Sequence, residues 1–228
     1  MAEIERIAKY VYNSNRLDGV HIPYETTLEL LIAAEAAGEG ATLSIDEVTG
    51  LDGRSYEAEN VTSHGAAFRR MQQLAAHPPY DERHIRELHG TLMRGVLLSA
   101  GEYRECTLRY RGIPPVPPEQ IPQRLRRVLA LMNRGPDRAR DPKLLAWQVH
   151  HEFIYVHPFI QGNGRMARLL LNLVRLRCGL GSIEVIPFDK REEYLHSIVA
   201  YGVRLARAQG QSPAATTSRS GRILDPPG

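Results

Sequence analysis

The run His157-Pro-Phe-Ile-Gln-Gly-Asn-Gly-Arg-Met-Ala-Arg-Leu-Leu-Leu-Asn172 constrains this chain more than any other stretch. A loop of small residues passes into a helix from Arg165 onward. A helix that begins this way leaves backbone N–H groups pointing out from the positive end of its dipole. Such a place binds anions, phosphates above all. Gly162 and Gly164 permit positive φ and let a phosphate approach the backbone, and Asn163 tolerates left-handed geometry. Arg165 and Arg168 share a helix face and can fork onto phosphate oxygens. His157 precedes the glycines closely enough to supply a general base near neutral pH. Taken singly, these are a turn, a solvated arginine pair and a structural histidine. In this order and spacing they describe a phosphate-transfer site.

The same residues admit a rival. Gly162, Gly164 and Ala167 satisfy the dinucleotide fingerprint G-x-G-x-x-[GA], with Glu184 placed downstream as a ribose-binding acid. That fingerprint needs a strand directly before the turn and alternating strands and helices around it. Pro158 and the helical run before it argue against the strand, and the rest of the chain does not alternate.

The motif resembles that of the Fic family, H-x-F-x-[DE]-G-N-G-R-x-x-R, with His157, Phe159, Gly162, Asn163, Gly164, Arg165 and Arg168 on its marked positions. The resemblance implies an all-α, Fic-like helical domain with a small β-hairpin flap. It implies transfer of AMP from ATP to a Ser, Thr or Tyr hydroxyl of a target protein. His157 would be the catalytic base, and Gly162, Asn163, Gly164, Arg165 and Arg168 would hold the nucleotide phosphates. Gln161 departs from the pattern, because the family carries there the acid that binds the nucleotide's Mg²⁺. An amide oxygen can coordinate Mg²⁺, but hard cations favour carboxylate. Weak metal binding, a different donor, or AMP removal are the consequences. The competing class is a catalytically weak domain acting as a nucleotide-gated protein-binding module.

Upstream, Ile4, Ile7, Ala8 and Val11 give residues 2–13 the spacing of an amphipathic helix, ended by the polar stretch before Gly19. Beside the motif, Ser14, Asp18 and Gly19 resemble the family's inhibitory signature [ST]-x-x-x-E-[GN], with aspartate in place of glutamate. The resemblance implies that Asp18 faces Arg168 and keeps it from the γ-phosphate. Aspartate is one methylene shorter, so a looser clamp is expected.

Further helices are read at 24–37, 55–76, 82–94, 121–133, 143–155, through the motif to 176, and 192–208. Residues 1–208 form the expected Fic domain, with 1–19 as its inhibitory-type helix. The loop 38–54 is unassigned, and 209–228 has the composition of a disordered tail. Residues 101–118 are either a proline-rich connector or, on the resemblance, the flap, whose edge at about 108–113 would pair with a target protein. A short extended piece is read at 183–186. Tyr194 and Tyr201 are weak candidates for adenine contacts. His150 and His151 are read as core or rim residues, since Tyr155 stands where a zinc-protease helix needs its second histidine.

A net charge of +3 is too small to imply nucleic-acid binding. No apolar run is long enough to span a membrane. Two isolated cysteines, Cys106 and Cys178, point to a reducing compartment. The expectation is a cytoplasmic protein, with room for a homodimer.

Overall fold

The computed structural model describes residues 1–38, 55–108, 110, 111, 113, 116–135, 139 and 141–208. Among them are eight α-helices: α1 Ala2–Leu17, α2 Tyr24–Ala37, α3 Ser55–Ala75, α4 Glu82–Leu92, α5 Ile121–Met132, α6 Pro142–Val156, α7 Asn163–Arg177 and α8 Arg191–Ala208. Single 3₁₀ turns, Pro118–Gln120 and Phe188–Lys190, lead into α5 and α8.

The helix carrying the motif is the centre of the molecule. From Arg165 to Arg175 every residue of α7 is buried. A helix buried on all sides has neighbours on all sides. Here α6 makes the most extensive contact and α3, α1 and α4 close the remaining faces. Leu169, Leu170, Leu171, Leu173 and Val174 are all within 1% of complete burial. Each such side chain contributes roughly 1.5–3 kcal/mol by leaving water.

Helix starts follow local chemistry. Asp81 accepts from the His84 N–H while the His84 ring accepts from the Asp81 N–H, a reciprocal cap on α4. Asp141 accepts from the N–H groups of Lys143 and Leu144 at the start of α6.

Two expectations are corrected, and a third is not shown. α1 continues to Leu17, so Ser14 lies in its last turn and is buried. Ser14 and Asn15 read as stop signals because such side chains usually compete with the helix backbone. Here their side chains find partners on other helices instead. The expected hairpin flap is not shown: among the described residues there is one isolated antiparallel bridge, Tyr110 to Ile113. Arg109, Gly112, Pro114 and Pro115 lie outside the described residues, as do residues 39–54 and 209–228.

The piece at 183–186 is not a strand either. Asn172 of α7 satisfies Glu184 as a strand neighbour would, accepting from its N–H at 2.7 Å and donating to its carbonyl at 3.1 Å. The Glu184 carboxylate pairs with Arg175 at 2.9 Å. The dinucleotide reading lacks both its strand, since helix α6 leads into the glycine turn, and a free acid. No helix among the described residues is long and apolar enough to cross a membrane.

Candidate active site

The site is the turn between α6 and α7. His157 ends α6 in the left-handed region, at φ 49°. Outside glycine and asparagine that conformation is unfavourable and persists only where surroundings impose it. Asn163 closes the turn behind it: its side chain accepts from the Phe159 N–H at 3.0 Å and donates to the Phe159 carbonyl at 2.8 Å. Phe159 is fully buried and stacks face to face on His89, ring centroids 3.6 Å apart. The His89 ring donates through Nε2 to the Gln161 carbonyl and accepts through Nδ1 from the Gly101 N–H. One neutral imidazole thus ties the motif turn to the segment after α4.

His157 Nδ1 lies 3.3 Å from the Ile154 carbonyl. A carbonyl only accepts, so Nδ1 carries the hydrogen and Nε2 keeps the lone pair of a base. Burial pushes its pKa down to about 4, with Arg104 adding to the fall and the Ile154 bond and Asp18 opposing it. The imidazole is neutral at pH 7. Tyr110 lies against it, ring centroids 4.8 Å apart.

The cradle beyond is the N-terminus of α7. Gly162 enters it at φ 80°, and any side chain there would meet Met93 Sδ at 2.7 Å. Gly164 is required by contact: a Cβ would stand 2.8 Å from Asp18 Oδ1 and 3.2 Å from Arg168 Nη1. The Asp18 carboxylate therefore rests on the helix N-terminus, where an anion belongs.

Arg168 is buried and its fork is spoken for. Nε donates to Ser14 Oγ at 2.8 Å, Nη2 to the Ser14 carbonyl and to Asp18 Oδ2, both at 2.9 Å, and Nη1 to Tyr194 Oη at 3.2 Å. Burial opposes its charge, but Asp18 and the tyrosines hold its pKa above the usual arginine value. Arg165 is equally buried and less well served. Nη1 donates to Asn60 Oδ1 at 2.6 Å, while Nε lies 3.7 Å from Asp18 Oδ2 and has no hydrogen-bond acceptor. An unsatisfied, buried, charged donor beside a helix N-terminus fits a stronger anion than a side-chain carboxylate.

Of the residues expected at the site, His157, Gly162, Gly164, Arg165 and Arg168 are brought together, and Ser14 and Asp18 arrive on α1. The Asp18 contact with Arg168 has ordinary length but engages one carboxylate oxygen, not the two of a bidentate pair. Gly19 supplies the left-handed residue after α1. The Asn163 side chain braces the turn and does not face the cradle. Tyr194 gives its hydroxyl to Arg168 and lies 2.8 Å from His150 Nε2. Tyr201 donates to Glu152 at 2.9 Å and stacks on His151. His150 is wholly buried and His151 partly so.

Gln161 is exposed, its amide 3.5 Å from the Tyr56 hydroxyl. Among the described residues no group of three or more His, Cys, Asp or Glu is placed to hold a metal ion. One exposed neutral amide does not fit a Mg²⁺ held by the protein.

Sequence reasoning missed Arg104, His89 and Asn60. Arg104 is buried, 3% exposed, and all its guanidinium acceptors are backbone carbonyls: His157 (2.7 Å), Cys106 (2.6 Å), Val116 (2.7 Å) and Val156 (3.4 Å). Nothing local in Gly101-Glu-Tyr-Arg104 announces this. His89 had a signal, since it falls on the face of α4 defined by Ile85, Leu88 and Leu92.

Residues 79–174 match the family model described as Fic/DOC family. The chain is 29% identical over 198 residues to "Protein adenylyltransferase fic-1" of Caenorhabditis elegans, covering 78% of this chain and 39% of that protein. It is 28% identical over 198 residues to "Protein adenylyltransferase Fic" of Nematostella vectensis, covering 83% and 42%. It thus spans about two-fifths of the length of these curated relatives. Among solved structures, a Fic domain-containing signaling protein from Bacteroides thetaiotaomicron superposes with a TM-score of 0.70 at 27% identity, over 86% of this chain and 72% of the other. C. elegans Fic-1 superposes with a TM-score of 0.69 at 26% identity, over 86% and 55%. The motif turn, the central helix and the arginine pair thus lie within or beside residues 79–174, the part of the chain that matches the Fic/DOC family.

Proposed function

We propose that the chain transfers AMP from ATP to a hydroxyl side chain of a target protein. The observation that carries this reading is the cradle itself, where a neutral imidazole stands before a helix N-terminus flanked by two buried arginines, one with an unsatisfied donor. The names of the curated relatives support the same chemistry. In the reaction, His157 Nε2 takes the proton of a Ser, Thr or Tyr hydroxyl as its oxygen attacks the α-phosphorus. The new O–P bond forms as the bond to pyrophosphate breaks. The α7 amides at Gly162–Arg165, with Arg165 and Arg168, hold the departing negative charge. Phosphoryl-type transfer depends mostly on positioning and electrostatics, so cradle and base matter alike.

The domain would comprise residues 1–208 and be held back by α1, because Asp18 occupies the cradle and Ser14 with Asp18 absorbs Arg168. The stretch at about 108–113, which holds the bridge from Tyr110 to Ile113, would receive an extended segment of the target by adding backbone hydrogen bonds. One observation favours a second reading. Gln161 offers no charge to a nucleotide-bound metal, which suits a catalytically weak domain that binds nucleotide and partner through the same surfaces.

Incubation with lysate and ATP labelled at the α- or the γ-phosphate separates these. Label transferred from the α position alone supports AMP transfer. Label from the γ position alone, or nucleotide binding with no transfer, rejects it.

A further inference from the structure

Arg104 joins pieces of chain that the proposed reaction needs in register. Its acceptors come from three places: Val156 and His157 at the end of α6, Cys106 just before the flap stretch, and Val116 just after it. Its own backbone N–H donates to the Pro158 carbonyl at 2.9 Å. One planar fork therefore grips both legs of the 106–116 segment and the backbone of the base. The strained φ of His157 makes such a grip necessary, since a non-glycine residue held left-handed relaxes unless several contacts fix it. Arginine suits the task, because its donors diverge in a rigid plane, whereas lysine presents a point charge on a flexible stem.

We propose that Arg104 is a positioning residue for the transfer reaction: it sets the distance between His157 and an acceptor hydroxyl delivered on the 106–116 segment. The inference rests on the adenylyl-transfer reading above. It goes beyond the motif, because Arg104 lies fifty-three residues before His157 and acts through it rather than on nucleotide. The charged and titratable groups facing His157 are Arg104, Asp18 and Tyr110. Loss of Arg104 would remove a nearby positive charge and also let water reach the imidazole. Both changes favour its protonated form.

The test compares wild type, Arg104→Lys and Arg104→Gln by thermal unfolding, affinity for a non-hydrolysable ATP analogue, transfer from α-labelled ATP, and NMR titration of the His157 imidazole. Both variants should bind nucleotide nearly as wild type, with KM for ATP little changed. Transfer kcat should fall on the order of a hundredfold, as expected for a misplacement near 1 Å. The His157 midpoint, about 4 in the wild type, should rise by roughly one unit in Arg104→Gln. Near-normal kcat in Arg104→Lys, or an unmoved His157 midpoint in Arg104→Gln, would overturn the proposal. If wild type transfers no label, the adenylyl-transfer reading fails, and the titration still decides whether Arg104 holds the base. If Arg104→Gln does not fold, the titration and kcat of Arg104→Lys decide alone, and an unmoved kcat or, without turnover, an unmoved midpoint rejects it.

Discussion

An imidazole held neutral by burial, with Nδ1–H tied to Ile154 and Nε2 left free, changes what pH should do to transfer. An ordinary histidine base loses activity as pH falls through about 6.5. His157, depressed to about 4, stays unprotonated well below that, so kcat should be nearly flat from pH 8 to about 5.5. A fall centred on pH 6.5 would show that the buried imidazole seen here is not the working base. His157→Ala should cost on the order of a hundred- to ten-thousand-fold in kcat with nucleotide affinity little changed, measured by α-label transfer beside isothermal titration. Gln161 is a different case, because its side chain is exposed with one long contact to the Tyr56 hydroxyl, while its backbone carbonyl accepts from His89. Gln161→Asp should therefore leave the fold intact and introduce a Mg²⁺ dependence of several-fold in nucleotide affinity. Equal affinity with Mg²⁺ and with EDTA in that variant would remove position 161 from metal binding. His157, Arg165 and Arg168 were legible in the sequence because their chemistry is local to one turn. Arg104 was not, because its partners are backbone carbonyls of distant residues, which no side-chain pattern records.

Helix α1 shows what a one-dimensional reading of an element leaves out. The apolar spacing of Ile4, Ile7, Ala8 and Val11 located it, but its last turn reads as a polar stop. Those polar residues continue the helix because each has a buried partner: Ser14 with Arg168, Asn15 with His64. Of the expected flap, the described residues show the bridge from Tyr110 to Ile113. The packing of α1 also changes the account of the clamp. Arg168 makes two of its hydrogen bonds to Ser14 and one to Asp18, so removing the carboxylate alone leaves the guanidinium partly engaged. Asp18→Gly should raise self-modification by a few-fold, and Ser14→Ala combined with it should raise it further. Losing the Asp18 carboxylate and the Ser14 hydroxyl leaves the buried arginine only the residue-14 carbonyl and Tyr194, and costs stability as well, of order 3 kcal/mol, readable as a lower Tm that added ATP restores. If Asp18→Gly alone gives the full increase, Ser14 plays no part in holding Arg168.

Across the whole molecule, the polar groups that shape the site form a connected interior network, and most of it depends on neutral histidines. Arg165 reaches Asn60, Asn60 accepts from Asn15, and Asn15 meets His64; Arg168 reaches Tyr194 and through it His150. Burial drives the pKa of His64 and His150 well below the usual value, and that of His89 to about 4. For His89 the structure shows why protonation is not tolerated. Its Nδ1 accepts from the Gly101 N–H, and an added proton there would replace that bond with two opposed donors. The unfolded chain protonates these imidazoles near 6.5, so between pH 6.5 and 4 it binds more protons than the native state. Stability then rises with pH through that window and falls as pH drops, the reverse of a histidine paired with a carboxylate. His89 alone accounts for on the order of 3 kcal/mol across the window. The midpoint of urea unfolding should therefore decline steeply from pH 6.5 to 4.5. His89→Gln should show a shallower decline, because glutamine can donate to Gln161 and accept from Gly101 without titrating. A midpoint independent of pH in the wild type over that range would mean that these histidines are solvated and charged, and that this interior network does not form.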